Sequence, residues 1–445
     1  MITSVLIANR GEIARRIIRT TKTLGIRSIA VYSDIDADLP FAREADESVR
    51  LPGEGATAYR DIDAILKIAA DTGAEAIHPG YGFLSENAGF AQAVTSAGLI
   101  WVGPSSEVIA TMGDKIAARE AAIAAGVPVV PGSAALSSVQ EAVAEAERIG
   151  YPVMVKAAGG GGGMGMAVVD DDSTIKESFE RVSGVAGRLF GDARVFVERY
   201  VRRGRHIEVQ VVGLPDGTAL TFGERDCSVQ RRNQKLVEES PSPAIDDEMR
   251  ERLMSAAKLL AQRVGYRNAG TVEMIFDVDR DEFYFLEMNT RIQVEHPITE
   301  AVFGIDLVAA QLAIASGADP GLPTHPASGH AIEFRVNAED SVGFLPRPGP
   351  IKEWAEPTGD GVRVDAGYRA GNAVTPAYDS LMAKLIVFGA TRNEALDRAR
   401  KALAEFRIEG PKTTLDFHRE LVDSAEFVSG DYDTHIVGRL RPGVT

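Results

Sequence analysis

The sequence predicts an α/β fold that opens with a doubly wound parallel sheet and continues into mixed α+β structure. Short β-branched runs alternate with helical patterns over the first hundred residues. A run of five glycines then separates two strand patterns, and short strands with Pro and Gly turns follow Gly329. At roughly 150 residues per domain, a chain of 445 residues has room for three domains that each bury a core.

Strand and helix patterns alternate regularly in the N-terminal segment. Residues 5–8 and 28–32 predict buried strands, and residues 12–24 between them predict a helix with its isoleucines inward. Two further strand signals, at Ile77 and at residues 99–102, are each followed by Gly and Pro. This is the βαβ pattern of an open parallel sheet. The turn after the first strand lacks Gly-x-Gly-x-x-Gly, so we assign no dinucleotide to this domain.

The composition excludes several classes of protein. The chain has 48 Lys and Arg against 64 Asp and Glu, a formal net charge of −16, which argues against nucleic acid or an anionic membrane as the main partner. No apolar run approaches the roughly 20 residues that span a bilayer, and the first ten residues do not resemble a secretory signal. The single cysteine, Cys227, permits no intrachain disulfide. We therefore expect a cytoplasmic enzyme.

The glycine run at 159–163 is the most unusual local feature of the chain. Glycines expose backbone N–H groups with no side chain in the way, as close approach to a polyphosphate requires. No Gly-Lys-Ser/Thr follows, and residues 164–169 predict a strand, so the run is a loop between strands and not a Walker A motif. Lys156 and Lys115 are candidates for phosphate contacts. The alternatives are a flexible linker and two solvated lysines.

A hairpin is predicted between Thr271 and Asn289, with its turn at residues 279–281. If the hairpin is symmetric about Arg280, Glu273 faces Glu287 with Cβ atoms about 5 Å apart. Like charges there are destabilising unless a cation or a shared proton intervenes. Two carboxylates near a phosphate are a usual way to hold Mg²⁺.

An alternation of polar and apolar residues continues beyond this hairpin. It places acid, amide, guanidinium, amide and acid on one face, and a solvated edge strand is the alternative interpretation. Arg291 beside Glu295 suggests an anion held next to a carboxylate that can remove its proton. The residues of this face are Glu287, Asn289, Arg291, Gln293 and Glu295.

Three further segments are candidates for a binding site. Residues 224–235 form a basic island that suggests an anion site, and Cys227 within it is either a nucleophile or a packed thiol. Residues 78–86 form a tight loop after a strand, where ligands bind in open α/β sheets, although a structural turn explains the same pattern. Arg335 lies on a predicted strand.

These motifs together resemble those of biotin carboxylase, the ATP-grasp component of biotin-dependent carboxylases. The resemblance covers essentially the whole chain in the same order, and the combination is specific. It is carried by residues 9–14, 78–87, 159–163, 224–235, 287–297 and 335–340.

The resemblance implies an ATP-grasp enzyme whose mobile glycine-rich lid domain closes over ATP. Bicarbonate and ATP would give carboxyphosphate, which breaks down to CO₂ and phosphate, and the phosphate would help deprotonate the ureido nitrogen of biotin. ATP and Mg²⁺ or Mn²⁺ are the implied cofactors. The implied parts are a Rossmann-like domain at 1–114, a lid with linking helices at 115–204, the ATP-grasp core at 205–328, and a mixed α+β C-terminal domain at 329–445.

The resemblance also assigns residues to sites. The implied nucleotide contacts are Lys115, Lys156, Gly159, Gly160, Gly161, Gly162, Gly163, Glu198, Val201, His206, Gln230 and Asn233. The implied metal site is Glu273, Glu287 and Asn289. The implied bicarbonate site is Lys235, Arg291, Gln293 and Val294, with Glu295 as the base, while Arg335 stabilises the biotin enolate oxygen and Tyr81 lies beside biotin.

The chain departs from the family pattern at two positions. Met164 stands where many members have arginine, which puts the affinity for ATP in doubt, and Asn233 stands where bacterial single-function subunits often have histidine. Asn233 is similar to the residue of propionyl-CoA and related acyl-CoA carboxylases. The biotin-carrier motif Ala-Met-Lys-Met is absent, and residues 381–385 are the nearest string. We therefore expect biotin on a separate carrier protein or domain.

Three functions remain open at this point. The leading one is the biotin carboxylase half-reaction of an acyl-CoA carboxylase of the acetyl- or propionyl-CoA type, with a carrier and a carboxyltransferase as partners and a homodimer as the family expectation. The second places the same half-reaction in a pyruvate carboxylase. The third is an ATP-binding regulatory subunit without turnover, which the joint presence of Lys235, Arg291, Glu295 and Arg335 disfavours.

Overall fold

The N-terminal part of the chain is a five-stranded sheet in the computed structural model, which describes residues 2–157, 165–191 and 193–443. All neighbouring strands are parallel, in the order β3-β2-β1-β4-β5. The doubly wound sheet predicted from the sequence is thereby confirmed. The strands are β1 (Ser4–Ile7), β2 (Arg27–Tyr32), β3 (Glu47–Arg50), β4 (Ala76–His78) and β5 (Ile100–Trp101).

Six α-helices accompany this sheet. The first begins directly after β1 and buries the predicted isoleucines Ile13, Ile17 and Ile18. It ends at Gly25, whose φ of 68° is the left-handed conformation that closes a helix at little cost for glycine. The helices are α1 (Gly11–Leu24), α2 (Pro40–Glu44), α3 (Gly55–Ala58), α4 (Ile62–Thr72), α5 (Ala88–Ser96) and α6 (Ser106–Gly113).

A small three-stranded antiparallel sheet, in the order β7-β6-β8, follows in the chain. Helices α8 and α9 pack on it around a core of alanine and valine side chains. The predicted glycine loop, Gly159 to Gly163, and Met164 lie outside the described residues. The elements are α7 (Lys115–Ala124), α8 (Val139–Ile149), β6 (Val153–Ala157), β7 (Met166–Val169), α9 (Asp172–Phe190) and β8 (Val195–Arg199).

Long antiparallel strands and three helices form the next segment. The alternation of Val and Ile with polar residues predicts strands that bury one face against helices. These elements are β9 (Gly204–Gly213), β10 (Ala219–Arg231), β11 (Gln234–Ser240), α10 (Asp247–Arg263), β12 (Asn268–Asp277), β13 (Glu282–Asn289), α11 (His296–Phe303) and α12 (Leu307–Ala315).

The C-terminal segment combines short strands with four helices. Its elements are β14 (His330–Asn337), β15 (Gly349–Pro350), β16 (Glu353–Ala355), β17 (Val362–Ala366), β18 (Ala373–Val374), β19 (Leu381–Gly389), α13 (Arg392–Glu405), β20 (Arg407–Glu409), α14 (Leu415–Leu421), α15 (Ala425–Ser429) and α16 (Ile436–Leu440).

One eight-stranded sheet joins the last two segments. Its order is β13-β12-β9-β10-β11-β14-β19-β17, and every neighbouring pair is antiparallel. Since β14 pairs directly with β11, the C-terminal strands extend the sheet of the preceding segment. Side chains from both segments can therefore share one face of a single sheet.

Within the described part of the chain, no single helix is both long and apolar enough to cross a membrane. Two consecutive helices, α11 and α12, pass that criterion only when taken together, and they are bent by 97° relative to each other.

His78, at the end of β4, is held as a neutral ring inside the protein. Gly80 N donates to its Nδ1 at 3.0 Å, so the proton is on Nε2, which lies 3.2 Å from Gln311 Oε1. Burial, opposed by the Gln311 hydrogen bond, lowers the pKa of His78 to about 3. The unfolded chain therefore binds a proton at His78 below pH 6.5, whereas the folded chain does not until about pH 3.

We predict that His78 contributes to acid destabilisation. As the pH falls below 6.5, each pH unit should cost up to about 1.4 kcal/mol of unfolding free energy through this group. His78→Asn removes this pH-dependent contribution. Between about pH 7.5 and about pH 4.5 the wild type should therefore lose more unfolding free energy than the variant, and the difference in unfolding free energy between them should narrow. Urea unfolding at both pH values measures it. A constant difference would contradict the prediction, and exposed His325→Asn is the matched control.

Candidate active site

A row of charged side chains crosses one face of the eight-stranded sheet. Glu273 on β12 lies opposite Glu287 on β13 and opposite Glu208 on β9, and Glu208 lies opposite Arg225 on β10. Directly paired residues project from the same face of a sheet. The antiparallel register therefore brings three carboxylates and a guanidinium into one line.

A β-bulge brings Glu287 into this line. Near the turn, Met274 pairs with Phe285, whereas Glu273 pairs with Glu287, so Leu286 has no partner on β12. Without the extra residue, Glu273 would face Leu286 and Glu287 would point to the other face. The facing carboxylates expected from a symmetric hairpin are present, but the bulge is what produces them.

Lys235 is the centre of the site. Its Nζ lies 2.6 Å from Glu208, 3.0 Å from Glu273 and 2.6 Å from Glu295. Burial opposes its charge, but the Cys227 thiol and the three carboxylates hold the pKa of Lys235 well above its usual value. The ammonium stays charged and keeps the carboxylates together.

Glu295 is fully buried between Lys235 and Arg335. It is the residue before α11, and its Oε2 lies 3.0 Å from Arg335 Nη2, while Arg335 Nε donates to Glu238 at 2.6 Å. Burial would raise the pKa of Glu295, but Lys235, Arg335 and Arg225 together hold it well below its usual value. For Glu238, burial outweighs the opposing Arg335, and the pKa rises to about 7.

Three polar side chains after β13 continue the row although the strand ends at Asn289. Arg291 donates from Nη2 to Asn289 Oδ1 at 2.8 Å and from Nη1 to Gln293 at 2.9 Å, and its Nε donates to Glu86 at 3.0 Å. Gln293 in turn donates to Glu273 at 2.8 Å. The predicted alternation therefore identifies side chains that do converge, although turns and not a strand place the last ones.

The predicted metal residues fit a hard divalent cation. Glu273 and Glu287 offer carboxylate oxygens from facing positions. Asn289 lies two residues from Glu287; its Oδ1 accepts from Arg291 and Gln293 while its Nδ2 lies 3.4 Å from Glu287 Oε1, so its amide would have to turn over to serve as a ligand. Burial and the negative charge of Glu273 raise the pKa of Glu287. A cation would relieve that repulsion, and oxygen is the donor atom that Mg²⁺ prefers.

The predicted nucleotide residues fall into two groups. His206 Nε2 lies 2.8 Å from Glu273, and Gln230 donates to His206 Nδ1 at 3.3 Å, so these two residues join the central site. Burial opposes the charge of His206, but the Glu273 carboxylate outweighs burial and raises the pKa of His206. Lys156 and Glu198 form an ion pair across β6 and β8, on the small sheet.

The remaining predicted nucleotide residues lie at or near the ends of strands and helices. Arg199 on β8 donates to Tyr284 on β13 at 3.2 Å, which connects the small sheet to the large one. Val201 follows β8, Asn233 occupies the β10–β11 turn with a φ of 64°, and Lys115 is the first residue of α7.

Tyr81 reaches the site through a chain of contacts. Its hydroxyl donates to Glu12, Glu12 Oε1 lies 3.1 Å from Lys384 Nζ, and Lys384 donates to the carbonyl of Val294 at 2.7 Å. Burial first, and the Glu12 carboxylate second, raise the pKa of Tyr81 well above its usual value. The positive charge of Arg335 lies close enough to oppose this shift. Tyr81 and Val294 are thus connected by a buried ion pair.

Several residues at the site were not predicted. Glu208 shares the parity of His206 and Gln210, while Ile207, Val209 and Val211 alternate with them, a signal that could have identified it. Glu86, within the 78–86 loop, carried no assigned role. Lys384 and Glu12 gave no local signal, since their contacts join distant parts of the chain.

The basic island at 224–235 contributes Lys235 to the central site, and its role in binding an anion stays a prediction. It is the hairpin of β10 and β11, and Arg225 is fully buried in an ion pair with Glu208. Cys227 is a buried thiol whose pKa is raised well above its usual value, first by burial and then by Glu208. Its Sγ donates to Glu295 Oε1 at 3.8 Å, and a thiol that resists ionisation is a poor nucleophile, which favours the packed-thiol interpretation.

Three family models match the chain in sequence order. Residues 1–109 match "Biotin carboxylase, N-terminal domain", residues 114–321 match "Carbamoyl-phosphate synthase L chain, ATP binding domain", and residues 333–439 match "Biotin carboxylase C-terminal domain". The chain therefore contains an ATP-binding domain between two biotin carboxylase domains.

Curated relatives match over the whole chain. Biotin carboxylase 1 of Bacillus subtilis is 48% identical over 439 residues, 98% of each chain. A pyruvate carboxylase subunit of Methanothermobacter thermautotrophicus is 46% identical over 450 residues, covering all of this chain and 91% of the relative. The biotin-dependent acyl-coenzyme A carboxylase alpha3 subunit of Mycobacterium leprae is 48% identical over 440 residues, 98% of this chain and 73% of the relative.

Solved structures share the fold and the sequence. The Campylobacter jejuni biotin carboxylase in a β,γ-ATP complex has a TM-score of 0.93 and 43% identity, covering 99% of both chains. The biotin carboxylase domain dimer of the Hydrogenobacter thermophilus 2-oxoglutarate carboxylase, solved with MgADP, ADP and bicarbonate, has a TM-score of 0.92 and 42% identity, covering 100% of this chain and 98% of that one. The fold is therefore the ATP-grasp fold of these enzymes, and the chain belongs to the biotin carboxylase family of ATP-dependent ligases.

Proposed function

We propose that this chain catalyses the first half-reaction of an acyl-CoA carboxylase, the ATP-dependent carboxylation of carrier-bound biotin with bicarbonate. The observation that carries the proposal is the convergence of Lys235, Glu295 and Arg335. A subunit that only binds ATP does not need a buried carboxylate between two cations. The Lys156–Glu198 ion pair, which belongs to the predicted nucleotide contacts, lies on a different sheet.

Bicarbonate is proposed to bind beside Lys235, Arg291, Gln293 and Val294. Of the three cations that keep Glu295 ionised, Lys235 also belongs to the proposed bicarbonate site. When Lys235 turns toward bicarbonate, Glu295 loses part of its stabilisation, so its pKa rises and it accepts the bicarbonate proton more readily. Proton removal is then tied to substrate binding.

ATP transfers its γ-phosphoryl group to the deprotonated bicarbonate, which gives carboxyphosphate and ADP. The nucleotide contacts proposed are Lys115, Lys156, the glycines 159–163, Glu198, Val201, His206, Gln230 and Asn233. Bound Mg²⁺ or Mn²⁺, held by Glu273, Glu287 and Asn289, would neutralise phosphate charge. The chain's own residues act by positioning the reactants and by balancing charge.

Biotin is proposed to receive the CO₂ released from carboxyphosphate. The phosphate that remains takes the proton from the ureido nitrogen, and the negative charge that develops on the ureido oxygen faces the Arg335 guanidinium. Arg335 is already fixed by Glu238 and Glu295, so it needs little reorganisation when the charge forms. Tyr81 lies beside the ring.

The acyl-CoA assignment is supported by the Mycobacterium leprae relative and by Asn233. A pyruvate carboxylase is the second candidate, because the Methanothermobacter thermautotrophicus relative is named as part of one. Carboxylation of isolated biotinylated carrier domains, one from each class, tests the assignment. The acyl-CoA type should give the higher kcat/KM, and a preference for the pyruvate-type carrier would overturn it.

We also propose a division of the chain at residues 114, 204 and 328, a biotin carrier protein or domain and a carboxyltransferase as partners, and a homodimer. The boundary at 114 is supported by the separate five-stranded sheet and the family models, that at 204 by the separate three-stranded sheet, and that at 328 by the family models. The homodimer is supported by the domain dimer of the Hydrogenobacter thermophilus enzyme.

Biotin should stimulate ADP release. With ATP, Mg²⁺ and bicarbonate, the purified chain should release ADP faster when free biotin is added, because biotin removes CO₂ and draws the first step forward. A coupled ADP assay with and without bicarbonate measures this. An ATPase rate that stays the same with and without bicarbonate, and with and without biotin, would favour the regulatory-subunit hypothesis.

Arg335→Ala should lower biotin carboxylation by about 100-fold, the scale of losing one oxyanion donor. ATP binding should persist, because Arg335 has no contact with Lys156 or Glu198. Carboxybiotin formation and ATP titration measure the two effects. Arg392→Ala is the control. Arg392 pairs with Glu239 on β11, next to the Glu238 that pairs with Arg335, so the control removes a guanidinium from the same strand and leaves Arg335 in place. Normal carboxylation in Arg335→Ala would refute the role.

Glu287→Gln should raise the Mg²⁺ concentration needed for half-maximal activity by about tenfold or more. The amide keeps the shape but removes the charge that faces Glu273 and would bind the cation. Mg²⁺ titration of the bicarbonate-dependent ATPase measures the change, with exposed Glu282→Gln on the same strand as the control. An unchanged titration curve would count against the pairing of Glu273 and Glu287.

A further inference from the structure

Lys384 is a fully buried lysine at the junction of three parts of the chain. It lies on β19, opposite Arg335 on β14 and opposite Asp365 on β17, and its exposed fraction is 0%. A buried ammonium is costly unless it is paired and hydrogen-bonded. Its position therefore depends on the groups around its Nζ atom.

Two direct contacts hold this ammonium, and they come from different segments. Its charge also acts on the buried carboxylates of Asp365 and Glu333 on the neighbouring strands. The carbonyl of Val294, just before α11, accepts a hydrogen bond at 2.7 Å, and Glu12 Oε1 on α1 lies at 3.1 Å. Glu12 Oε1 also accepts the hydroxyl of Tyr81, from the loop after β4. One side chain therefore joins the N-terminal sheet, the 289–295 segment and the C-terminal strands.

The backbone of Glu12 is fixed at the same junction. Gly367 follows β17, and a Cβ atom there would lie 2.8 Å from Glu12 N. The start of α1 is thus pressed against the C-terminal strands at a point where only glycine fits. Glu12 Oε2, among the described residues, is buried and has no hydrogen-bond partner. Glu12 consequently has little freedom to follow Tyr81 if Lys384 is removed.

We propose that Lys384 and Glu12 are positioning residues that hold Tyr81 in register with Val294. This rests on the proposed function, in which Tyr81 lies beside biotin and Val294 at the bicarbonate site. The pair fixes the distance between the two substrates without touching either one. Carboxyphosphate then forms where biotin can capture its CO₂, and the hydrolysis of ATP stays coupled to the carboxylation of biotin.

The geometry predicts which kinetic constants change. Loss of the Lys384 ammonium frees the carbonyl of Val294 and removes the charge that orients the Glu12 carboxylate toward Tyr81. The KM for biotin should therefore rise by about tenfold or more, and that for bicarbonate should rise with it. The number of ADP molecules released per carboxybiotin formed should also rise severalfold. The KM for ATP should stay within about twofold, because neither contact belongs to the His206 or Lys156 groups.

The experiment uses three variants of the full chain. Lys384→Met keeps the length of the side chain but leaves Glu12 as an unpaired buried carboxylate, which endangers folding. The double variant Lys384→Met with Glu12→Gln removes both members of the ion pair. Asp365 keeps its Arg363 partner, and burial already raises the pKa of Glu333 well above its usual value, so the double variant is the one expected to fold. Arg205→Met is the matched control, because Arg205 is also a fully buried cation, paired with Asp226 on β10 and without contact to Tyr81 or Val294.

We expect the double variant to release excess ADP per carboxybiotin with a raised KM for biotin, and Arg205→Met to keep the wild-type ratio. A wild-type ratio and KM in the folded double variant would overturn the positioning role. An equal excess in Arg205→Met would also overturn it, since any buried cation would then have the same effect. If wild type itself shows no bicarbonate-dependent ADP release, the proposed function fails instead.

Discussion

The site depends on the ammonium of Lys235, which makes it possible to bury three carboxylates on one face of a sheet. Glu208, Glu273 and Glu295 all approach this single atom within 3.0 Å. Without a cation at that point, their mutual repulsion and their desolvation would oppose folding. The carboxylates in turn position His206, Arg225 and Arg335, so the ordering of the whole charged row follows from one side chain.

The sequence predicted the parts of this site that are local in the chain. The parallel N-terminal sheet, the 271–289 hairpin and the polar alternation from Glu287 to Glu295 all follow from periodicity of two or of 3.6. The bulge at Leu286 could not be foreseen, because nothing in an apolar residue signals that it will be skipped in pairing. The prediction of Glu273 opposite Glu287 therefore rested on a symmetry that the hairpin does not have.

The contacts that periodicity misses are those between distant segments. Tyr81 meets Glu12 across 69 positions, and Lys384 meets Val294 across 90. Neither pair has a spacing that a helix or strand repeat would produce, and Lys384 lies in an otherwise apolar strand. Tyr81 and Glu12 meet because β1 and β4 are neighbours in the N-terminal sheet, and that adjacency is known only once the strand order is known.

The charged row also explains how an acidic chain can hold anions. With a net charge of −16, the protein as a whole repels bicarbonate and nucleotide, and long-range attraction cannot concentrate them. The cations of the site are, however, already desolvated and already oriented by carboxylates. In the proposed mechanism, an incoming anion exchanges one partner for another at Lys235 and does not strip water from a free cation, so most of the desolvation is completed when the protein folds. The same exchange would lower the stabilisation of ionised Glu295, so that binding of the anion and removal of its proton would be a single physical event.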